Sequence, residues 1–102
     1  MAYTVILAPR ASEDLHEIVE YVTGKAGAAT GRKLQTRLVR TIKLLAMFPE
    51  MGRRRGRLGK GVRGVVSAPY ITFYRIDGDL VRVLRVLHSS RKITRKLIAE
   101  SS

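Results

Sequence analysis

Hydrophobic and polar residues alternate with different periods in the two halves of this chain, and the first half predicts one strand and two helices. Residues 2–8 are apolar and β-branched, which is typical of a strand. From Pro9, apolar residues recur at helical spacing as far as Gly24, where the first helix is expected to stop. A second amphipathic helix is predicted for about residues 28–48, ended by Pro49. Because the connection is short, the two helices should form an antiparallel hairpin.

The second half of the chain has the pattern of successive strands. Residues 62–68 and 70–75 are predicted as short strands. Asp77-Gly78 is a strong signal for a two-residue hairpin turn before a further strand, residues 80–88. The resulting order, β-α-α-β-β-β, predicts an α+β domain in which the N-terminal helical hairpin packs against a mainly antiparallel sheet.

The last predicted strand is apolar at nearly every position, so we expect it to be central in the sheet. Arg82 and Arg85 are three residues apart and should face opposite sides of this strand unless a bulge intervenes. Residues 91–102 fit either a short basic helix or a frayed tail.

Length and composition predict one domain and are compatible with a cytoplasmic location. The chain has 102 residues, of which 45% are hydrophobic, and this fits a single domain over residues 1–102 with its own core. It has no cysteine, which excludes disulfides, a thiolate nucleophile and cysteine-bound metal. No basic leader precedes a long apolar run, and no apolar stretch is long enough to span a bilayer.

Positive charge is the outstanding feature of the composition. Lysine and arginine number 20 against 8 acids, which gives a net charge of +12. Half of the acids lie between Glu13 and Glu20, so the rest of the chain is more basic still. A small domain needs a net charge of only about 2–8 for solubility. The excess favours a polyanionic partner such as nucleic acid, the ribosome, an acidic protein or an anionic lipid surface.

The sequence offers little for metal, cofactor or carboxylate chemistry. Its two histidines, His16 and His88, are not spaced with carboxylates as a ligand set, and His16 is expected to be solvated. The acids are expected on the surface of the first helix or in the turn at Asp77 and Asp79, without forming a paired site. Phosphate-binding and dinucleotide-binding glycine patterns are absent, so no cofactor and no metal is expected.

An aromatic sheet face is one candidate for contact with a polyanion. Ile71 and Phe73 are the natural pair to meet the helices. Tyr70 and Tyr74 would then lie on an open face beside Arg63, where such side chains stack on bases and neutralise phosphates. In the alternative, both tyrosine rings cap the core and only their hydroxyls meet water.

The end of the last strand carries a second candidate group. His88 has the chemistry of a general acid or base near neutral pH, and Arg91 has that of a stabiliser of developing negative charge. By residue type alone, a polar rim that terminates the sheet is the simpler interpretation.

The chain resembles the RelE/ParE superfamily of bacterial type II toxins in five segments: PRASEDLHEIVEYV, FPEMGRRRG, GVR, YITFYRIDGD and VRVLRVLHSSRKI. The similarity extends over about residues 3–93 and implies the RelE/ParE toxin fold. It also implies one of two activities. RelE-like members cleave mRNA in the ribosomal A site, whereas ParE-like members inhibit DNA gyrase by binding it.

The residues that RelE-like members use for cleavage carry over incompletely. Arg63 and Arg91 stand where the resemblance places basic residues, but two other basic positions are apolar here, and no tyrosine follows Tyr74. Losing one positioned electrostatic group typically costs about a hundredfold in rate. A ribosome-dependent endoribonuclease would therefore rely on Arg63, His88 and Arg91 as a divergent catalytic set.

The helical hairpin and the ending VLRVLHSSRKI are instead similar to ParE-like toxins. The resemblance therefore implies a toxin that binds gyrase, stalls it on cleaved DNA and catalyses no reaction itself. A basic RNA-binding module is an alternative on charge alone, and a decayed toxin that only pairs with its antitoxin is another. The expected contacts with gyrase or nucleic acid are Arg53, Arg54, Arg55, Arg57, Arg63, Tyr70, Tyr74, His88, Arg91 and Lys92.

By the same resemblance, a cognate antitoxin holds the toxin silent. A net charge of +12 favours an acidic, partly disordered ParD-like chain that folds on binding to give a hetero-oligomer. Val22, Leu38 and Leu45 are candidate apolar anchors for it on the helical hairpin. In the alternative, these three side chains face the core of this chain.

Overall fold

A single sheet joins the N-terminal strand to the strands of the second half. The computed structural model describes residues 2–99. Its elements are β1 (Thr4–Leu7), α1 (Pro9–Ala26), α2 (Ala28–Leu44), β2 (Arg53–Arg54), a 3₁₀ turn (Gly56–Leu58), β3 (Val62–Ser67), β4 (Tyr70–Asp77), β5 (Leu80–His88) and α3 (Arg95–Ala99). The strands follow the order β1-β5-β4-β3-β2, with β1 parallel to β5 and the other pairs antiparallel. The predicted α+β fold is confirmed, and β5 is central as expected.

The helical hairpin turns at one residue. α1 continues through Gly24 to Ala26, so the predicted stop at Gly24 is wrong. The break falls at Gly27, whose φ of 96° is a conformation that glycine adopts without a Cβ clash. Just beyond it, a Cβ on Gly31 would collide with the Thr23 side chain, so the two helices approach closely where glycine leaves room.

α2 ends at Leu44, four residues earlier than predicted. Beyond this residue, the backbone N–H groups of Leu45, Ala46 and Met47 bond three residues back instead of four, each at 3.1 Å. The last turn is therefore tighter than an α-helical turn, and its terminal carbonyls are hydrogen-bonded before the chain reaches Pro49.

Both faces of the sheet are covered, and the tyrosines of β4 lie on the helix side. Tyr70 and Tyr74 are buried in one cluster with the helical hairpin. Ile71 and Phe73 belong to a second cluster with the 3₁₀ turn and α3. The predicted orientation of β4, with Ile71 and Phe73 toward the helices, is therefore wrong, and the alternative in which both tyrosine rings pack on the core is confirmed for the rings. The face away from the hairpin is not open, because the 3₁₀ turn and α3 supply it with a core of its own.

A bulge in β5 reverses the facing of its side chains. Tyr74 is registered with Val83, but the preceding Phe73 is registered with Arg85, so β5 carries one extra residue at this point. Val83 and Val86 consequently lie in the same helix-side cluster, although they are three residues apart.

The C-terminal segment forms a short helix over Arg95–Ala99, and Ile98 is fully buried in the second cluster. Residues 100–102 of the predicted basic segment lie outside the described residues. Within residues 2–99, every helix falls short of the length or apolar character that a membrane span requires.

Candidate functional site

A hydroxyl and a guanidinium hold the turn after α2 against the sheet. The Tyr74 hydroxyl donates to the Pro49 carbonyl at 2.7 Å and accepts the Gly52 N–H at 2.9 Å. From the neighbouring strand, Nη1 of Arg63 donates to the carbonyl of Gly52 at 2.9 Å and to that of Glu50 at 3.2 Å. These two side chains, which are direct partners in the β3–β4 register, fix the backbone of the turn.

Tyr74 is a structural residue and not a surface contact, so its predicted place on an open face is wrong. Its side chain is fully buried. A Cβ at Gly52 would lie 2.6 Å from the phenol oxygen, so only glycine fits beneath the ring. Burial raises the pKa of the Tyr74 hydroxyl above its ordinary value of 10.0, against the opposing effects of the Gly52 hydrogen bond and the Arg63 charge. At neutral pH the hydroxyl stays protonated and donates a hydrogen bond to the Pro49 carbonyl.

The predicted basic loop divides between an exposed edge and a covered face. Arg53 and Arg54 form β2 at the edge of the sheet and are exposed, as is Arg57 in the 3₁₀ turn. Arg55 is half-buried, with its guanidinium carbon 5.6 Å from the centroid of the Phe73 ring. Three of these four arginines are therefore open to a partner, while Arg55 stacks on the core of the second cluster.

The predicted contact residues at the end of β5 are exposed, and the buried Tyr70 ring packs against one of them, His88. His88 packs edge-on against Tyr70, with ring centroids 5.3 Å apart. Its Nδ1 accepts the backbone N–H of Ser90 at 3.0 Å and lies 2.8 Å from the Ser90 hydroxyl. Arg91 and Lys92 follow and are exposed. Because Tyr70 is buried, its predicted contact is wrong, and His88, Arg91 and Lys92 make up the accessible part of this end.

The three candidate ribonuclease residues do not converge, because Arg63 lies apart from His88 and Arg91. Arg63 is registered with Tyr74, and His88 is registered with Tyr70, on opposite sides of β4. Four residues along a strand and two strand spacings across it place the Cα atoms of Arg63 and His88 on the order of 16 Å apart. Arg91 lies at the His88 end, in the turn where its N–H bonds the His88 carbonyl.

A buried ion pair between α1 and β5 is the main polar feature that the sequence analysis does not foresee. Oδ2 of Asp14 accepts Nε of Arg85 at 2.7 Å, and Oδ1 accepts Nη2 at 2.9 Å. Oδ2 also accepts the N–H of Val86 at 3.0 Å. Asp14 is therefore not a surface acid. Its spacing from Ala11 and Ile18, on the core-facing stripe of α1, is the signal that marks it.

Two of the three predicted antitoxin anchors are inside the molecule. Leu38 and Leu45 are fully buried in the helix-side cluster, so they are not accessible anchors, and the alternative that they face the core of this chain is confirmed. The reason is that the apolar stripe of α2 faces its own sheet. Val22 is half-buried and lines a cavity of about 430 Å³ with Lys33 and Tyr70, so it keeps an accessible side.

His16 is exposed as predicted and lies 3.1 Å from Glu20 on the same helix. In the part of the chain that the structure describes, no group of three or more histidines and carboxylates is arranged to hold a metal ion.

Comparison with known proteins agrees with this architecture. The sequence model for the ParE toxin of the type II toxin–antitoxin system parDE matches residues 5–93. The chain belongs to the ParE toxin family. Two similar members of that family are toxin ParE1 of Mycobacterium tuberculosis, 28% identical over 98 residues, and toxin ParE3 of Caulobacter vibrioides, 28% identical over 93 residues. The alignments cover 95% and 91% of this chain, and 100% and 93% of the relatives.

Solved structures similar to this ParE-family toxin bear both ParE and RelE names. A chain of the chromosomal ParDE system of P. aeruginosa has a TM-score of 0.75 at 21% identity, covering 85% of this chain and 96% of that one. A chain of the M. tuberculosis RelBE2 toxin–antitoxin complex has a TM-score of 0.65 at 26% identity, covering 86% and 99%. An arginine double mutant of E. coli RelE in the free state has a TM-score of 0.58 at 20% identity, covering 99% and 95%. The first and third likenesses establish the shared fold alone.

Proposed function

We propose that this ParE-family toxin acts in the cytoplasm by binding DNA gyrase and stalling it on cleaved DNA, and that it catalyses no reaction of its own. An acidic, ParD-like cognate antitoxin neutralises it in a hetero-oligomer. The side chains that remain accessible for contact with gyrase or its DNA are Arg53, Arg54, Arg57, His88, Arg91 and Lys92.

The observation that carries the proposal is the separation of the candidate ribonuclease residues. A general acid or base acts on a proton within about 3 Å, so catalytic groups must converge on one phosphate. Arg63 and His88 lie on the order of 16 Å apart. Moreover, Nη1 of Arg63 already donates to two carbonyls, and its side chain is only 15% exposed. An inhibitor that works by protein binding has no need of convergent groups.

The antitoxin part of the proposal is supported by charge and by the comparisons. The net charge of +12 is complementary to an acidic partner and would accelerate its association. Two of the similar solved structures are described as a ParDE toxin–antitoxin system and a RelBE2 toxin–antitoxin complex.

A supercoiling assay with purified toxin and gyrase, run beside an in vitro translation reaction whose mRNA is mapped for cuts, tests the proposed target. We expect lost supercoiling, trapped cleaved DNA and intact mRNA. Ribosome-dependent cuts together with normal supercoiling would overturn the proposal and assign Arg63, His88 and Arg91 to a divergent ribonuclease.

Matched variants sharpen the same assay. The change Arg53→Gln/Arg54→Gln removes two charges from the exposed sheet edge, and we expect about tenfold weaker inhibition of gyrase. Arg10→Gln/Arg32→Gln removes the same charge from exposed positions on the helices and serves as the control. Equal effects of the two double variants would show that net charge matters and that the sheet edge does not.

A further inference from the structure

Exposed apolar side chains are concentrated at the end of α2. Among residues 2–99, seven large apolar side chains are exposed, and four of them fall within eight positions. We name these four the turn patch: Leu44, Met47, Phe48 and Met51. Met47 is 64% exposed and Phe48 is 59% exposed. Single exposed apolar residues are ordinary, but a contiguous group of large ones marks an interaction surface.

Hydrogen bonds hold the backbone of the turn patch in place. The Leu44 carbonyl accepts the N–H groups of Met47 at 3.1 Å and Phe48 at 2.9 Å. The Phe48 carbonyl accepts the N–H of Met51 at 3.1 Å. Tyr74 and Arg63 fix Pro49, Glu50 and Gly52 to the sheet by the hydrogen bonds described above. A surface that is already ordered loses little entropy on binding, so its apolar contacts contribute more fully to affinity.

Cationic side chains flank the turn patch on both sides. On one side, a groove of about 580 Å³ runs along α2 and is lined by Val39, Arg40, Lys43 and Leu44. Leu44 also belongs to the turn patch. On the other side, Gly52 alone separates Met51 from β2, whose two arginines are exposed. One carboxylate belongs to the turn itself, that of Glu50, and it lies 3.9 Å from Arg63. The surface is thus an apolar centre within a predominantly cationic border.

We propose that the turn patch and the adjoining α2 groove bind an acidic amphipathic segment of the antitoxin. Apolar side chains of that segment cover Met47 and Phe48, and its carboxylates meet Arg40, Lys43 and Arg53. This assignment rests on the proposed function, because it requires a cognate antitoxin. It supplies the apolar anchor that the buried Leu38 and Leu45 cannot supply, and it also covers part of the sheet edge proposed to contact gyrase.

Charge and exposure favour the antitoxin over other occupants. A second copy of this chain would bring its own net charge of +12 and the same arginines against the cationic border. Gyrase would cover the turn patch only during the time that the toxin is bound to gyrase. A rigid group of exposed Phe and Met side chains is an aggregation liability in a free protein, so it calls for a partner that stays bound.

The experiment measures antitoxin affinity for two matched toxin variants. The probe is the protein encoded by the reading frame that adjoins this gene, purified and titrated calorimetrically into full-length toxin. Met47→Ser/Phe48→Ser removes the centre of the turn patch, and we expect Kd to rise at least about 30-fold, as for a binding hot spot. Val66→Ser is the control, because Val66 is also 64% exposed but projects from the face of β3 opposite the hairpin. Its Kd should stay within about threefold of the wild-type value.

The other outcomes are separable. An unchanged Kd for Met47→Ser/Phe48→Ser, with wild-type circular dichroism, would overturn the inference while leaving the antitoxin proposal intact. Unchanged antitoxin affinity with lost gyrase inhibition would assign the turn patch to the target. Unchanged antitoxin affinity with loss of a wild-type dimer in sedimentation would assign it to self-association. If wild-type toxin does not bind the probe, the antitoxin part of the proposed function fails, and this inference fails with it.

Discussion

Two polar clusters join the helical hairpin to the sheet, and they differ in what they bury. Where α1 crosses β5, the Asp14 carboxylate and the Arg85 guanidinium meet as two buried groups of opposite charge, 2.7 and 2.9 Å apart at their two contacts. Where the turn after α2 meets β3 and β4, the buried group is the neutral Tyr74 hydroxyl, and Arg63 keeps some contact with solvent while it binds carbonyls.

The comparison shows that arginine has two roles in this small domain, in a buried ion pair at Arg85 and in bonds to backbone carbonyls at Arg63. Removing one partner of a buried ion pair leaves an uncompensated charge in the interior, so the Asp14–Arg85 cluster acts on the fold as a whole. Removing a neutral hydrogen bond near the surface costs less and loosens only the segment it held. The Tyr74–Arg63 cluster therefore positions the turn patch. Damage to the first cluster should unfold the protein, and damage to the second should weaken partner binding in a folded one.

The largest expected effect is that of Asp14→Ala. This change removes the carboxylate that accepts Nε and Nη2 of the buried Arg85 and the N–H of Val86, and we expect a loss of about 3–5 kcal/mol in the free energy of unfolding. Most small domains are stable by only about 5–15 kcal/mol, so the variant should be marginal at 37 °C. Urea unfolding followed by circular dichroism measures the loss.

A double variant separates the buried charge from the packing at this site. Asp14→Leu/Arg85→Met replaces both charges with apolar side chains, which is often neutral or stabilising for a buried pair. We expect it to recover most of the stability that Asp14→Ala loses. A double variant as unstable as the single one would show that the ion pair itself, and not an uncompensated charge, determines the loss.

Tyr74→Phe should have a smaller and more local effect. It leaves the Gly52 N–H and the Pro49 carbonyl without their partner, at a cost of about 1–3 kcal/mol in the free energy of unfolding. The turn patch should also be less ordered, so antitoxin affinity should fall in protein that is still folded. Tyr70→Phe is the matched control, because the Tyr70 ring packs against His88 and the change should stay within about 0.5 kcal/mol. Equal losses in both variants would contradict a special role for Tyr74.

The same hydroxyl predicts a dependence of stability on alkaline pH. The pKa of Tyr74 is raised above 10.0 in the folded protein, so as pH rises the unfolded chain loses this proton first. The stability contributed by the protonated hydroxyl is fully present below pH 10.0 and is lost as pH rises through the folded-state pKa. Urea unfolding between about pH 9 and pH 11 should show a steeper decline in wild type than in Tyr74→Phe. Parallel declines would rule out this contribution.

Most of the fold is predictable from the sequence because the pattern of apolar residues is regular where elements have one buried face. The helix stripe of α2 and the Asp77-Gly78 turn are examples, and both predictions are confirmed. The facing of β4 is not predictable in the same way. Every residue from Tyr70 to Tyr74 is buried, so alternation carries no information about which face meets the helices.

The candidate surface is harder to predict, because accessibility depends on which elements cover which residues. Arg53 and Arg55 are two positions apart in a run of arginines, yet one lies exposed on the sheet edge and the other over the Phe73 ring. Phe48 is predicted as the end of a helix, and its exposure follows from the earlier end of α2 at Leu44. A single sequence states the residue types, whereas the element that covers each residue depends on contacts between segments that are distant along the chain.

The smallest expected effect tests the comparison from the exposed side. Arg82 lies on the same strand as Arg85, but its Nε is 3.6 Å from Oδ2 of Asp77 and both side chains meet solvent. Water screens such a pair, so Arg82→Gln should change the free energy of unfolding by less than about 1 kcal/mol, and by less still in added salt. Urea unfolding at low and high ionic strength measures it beside Asp14→Ala. A loss as large as that of Asp14→Ala would mean that burial does not distinguish the Arg82–Asp77 pair from the Arg85–Asp14 pair. The distinction between arginines in the core and arginines at the surface would then be wrong.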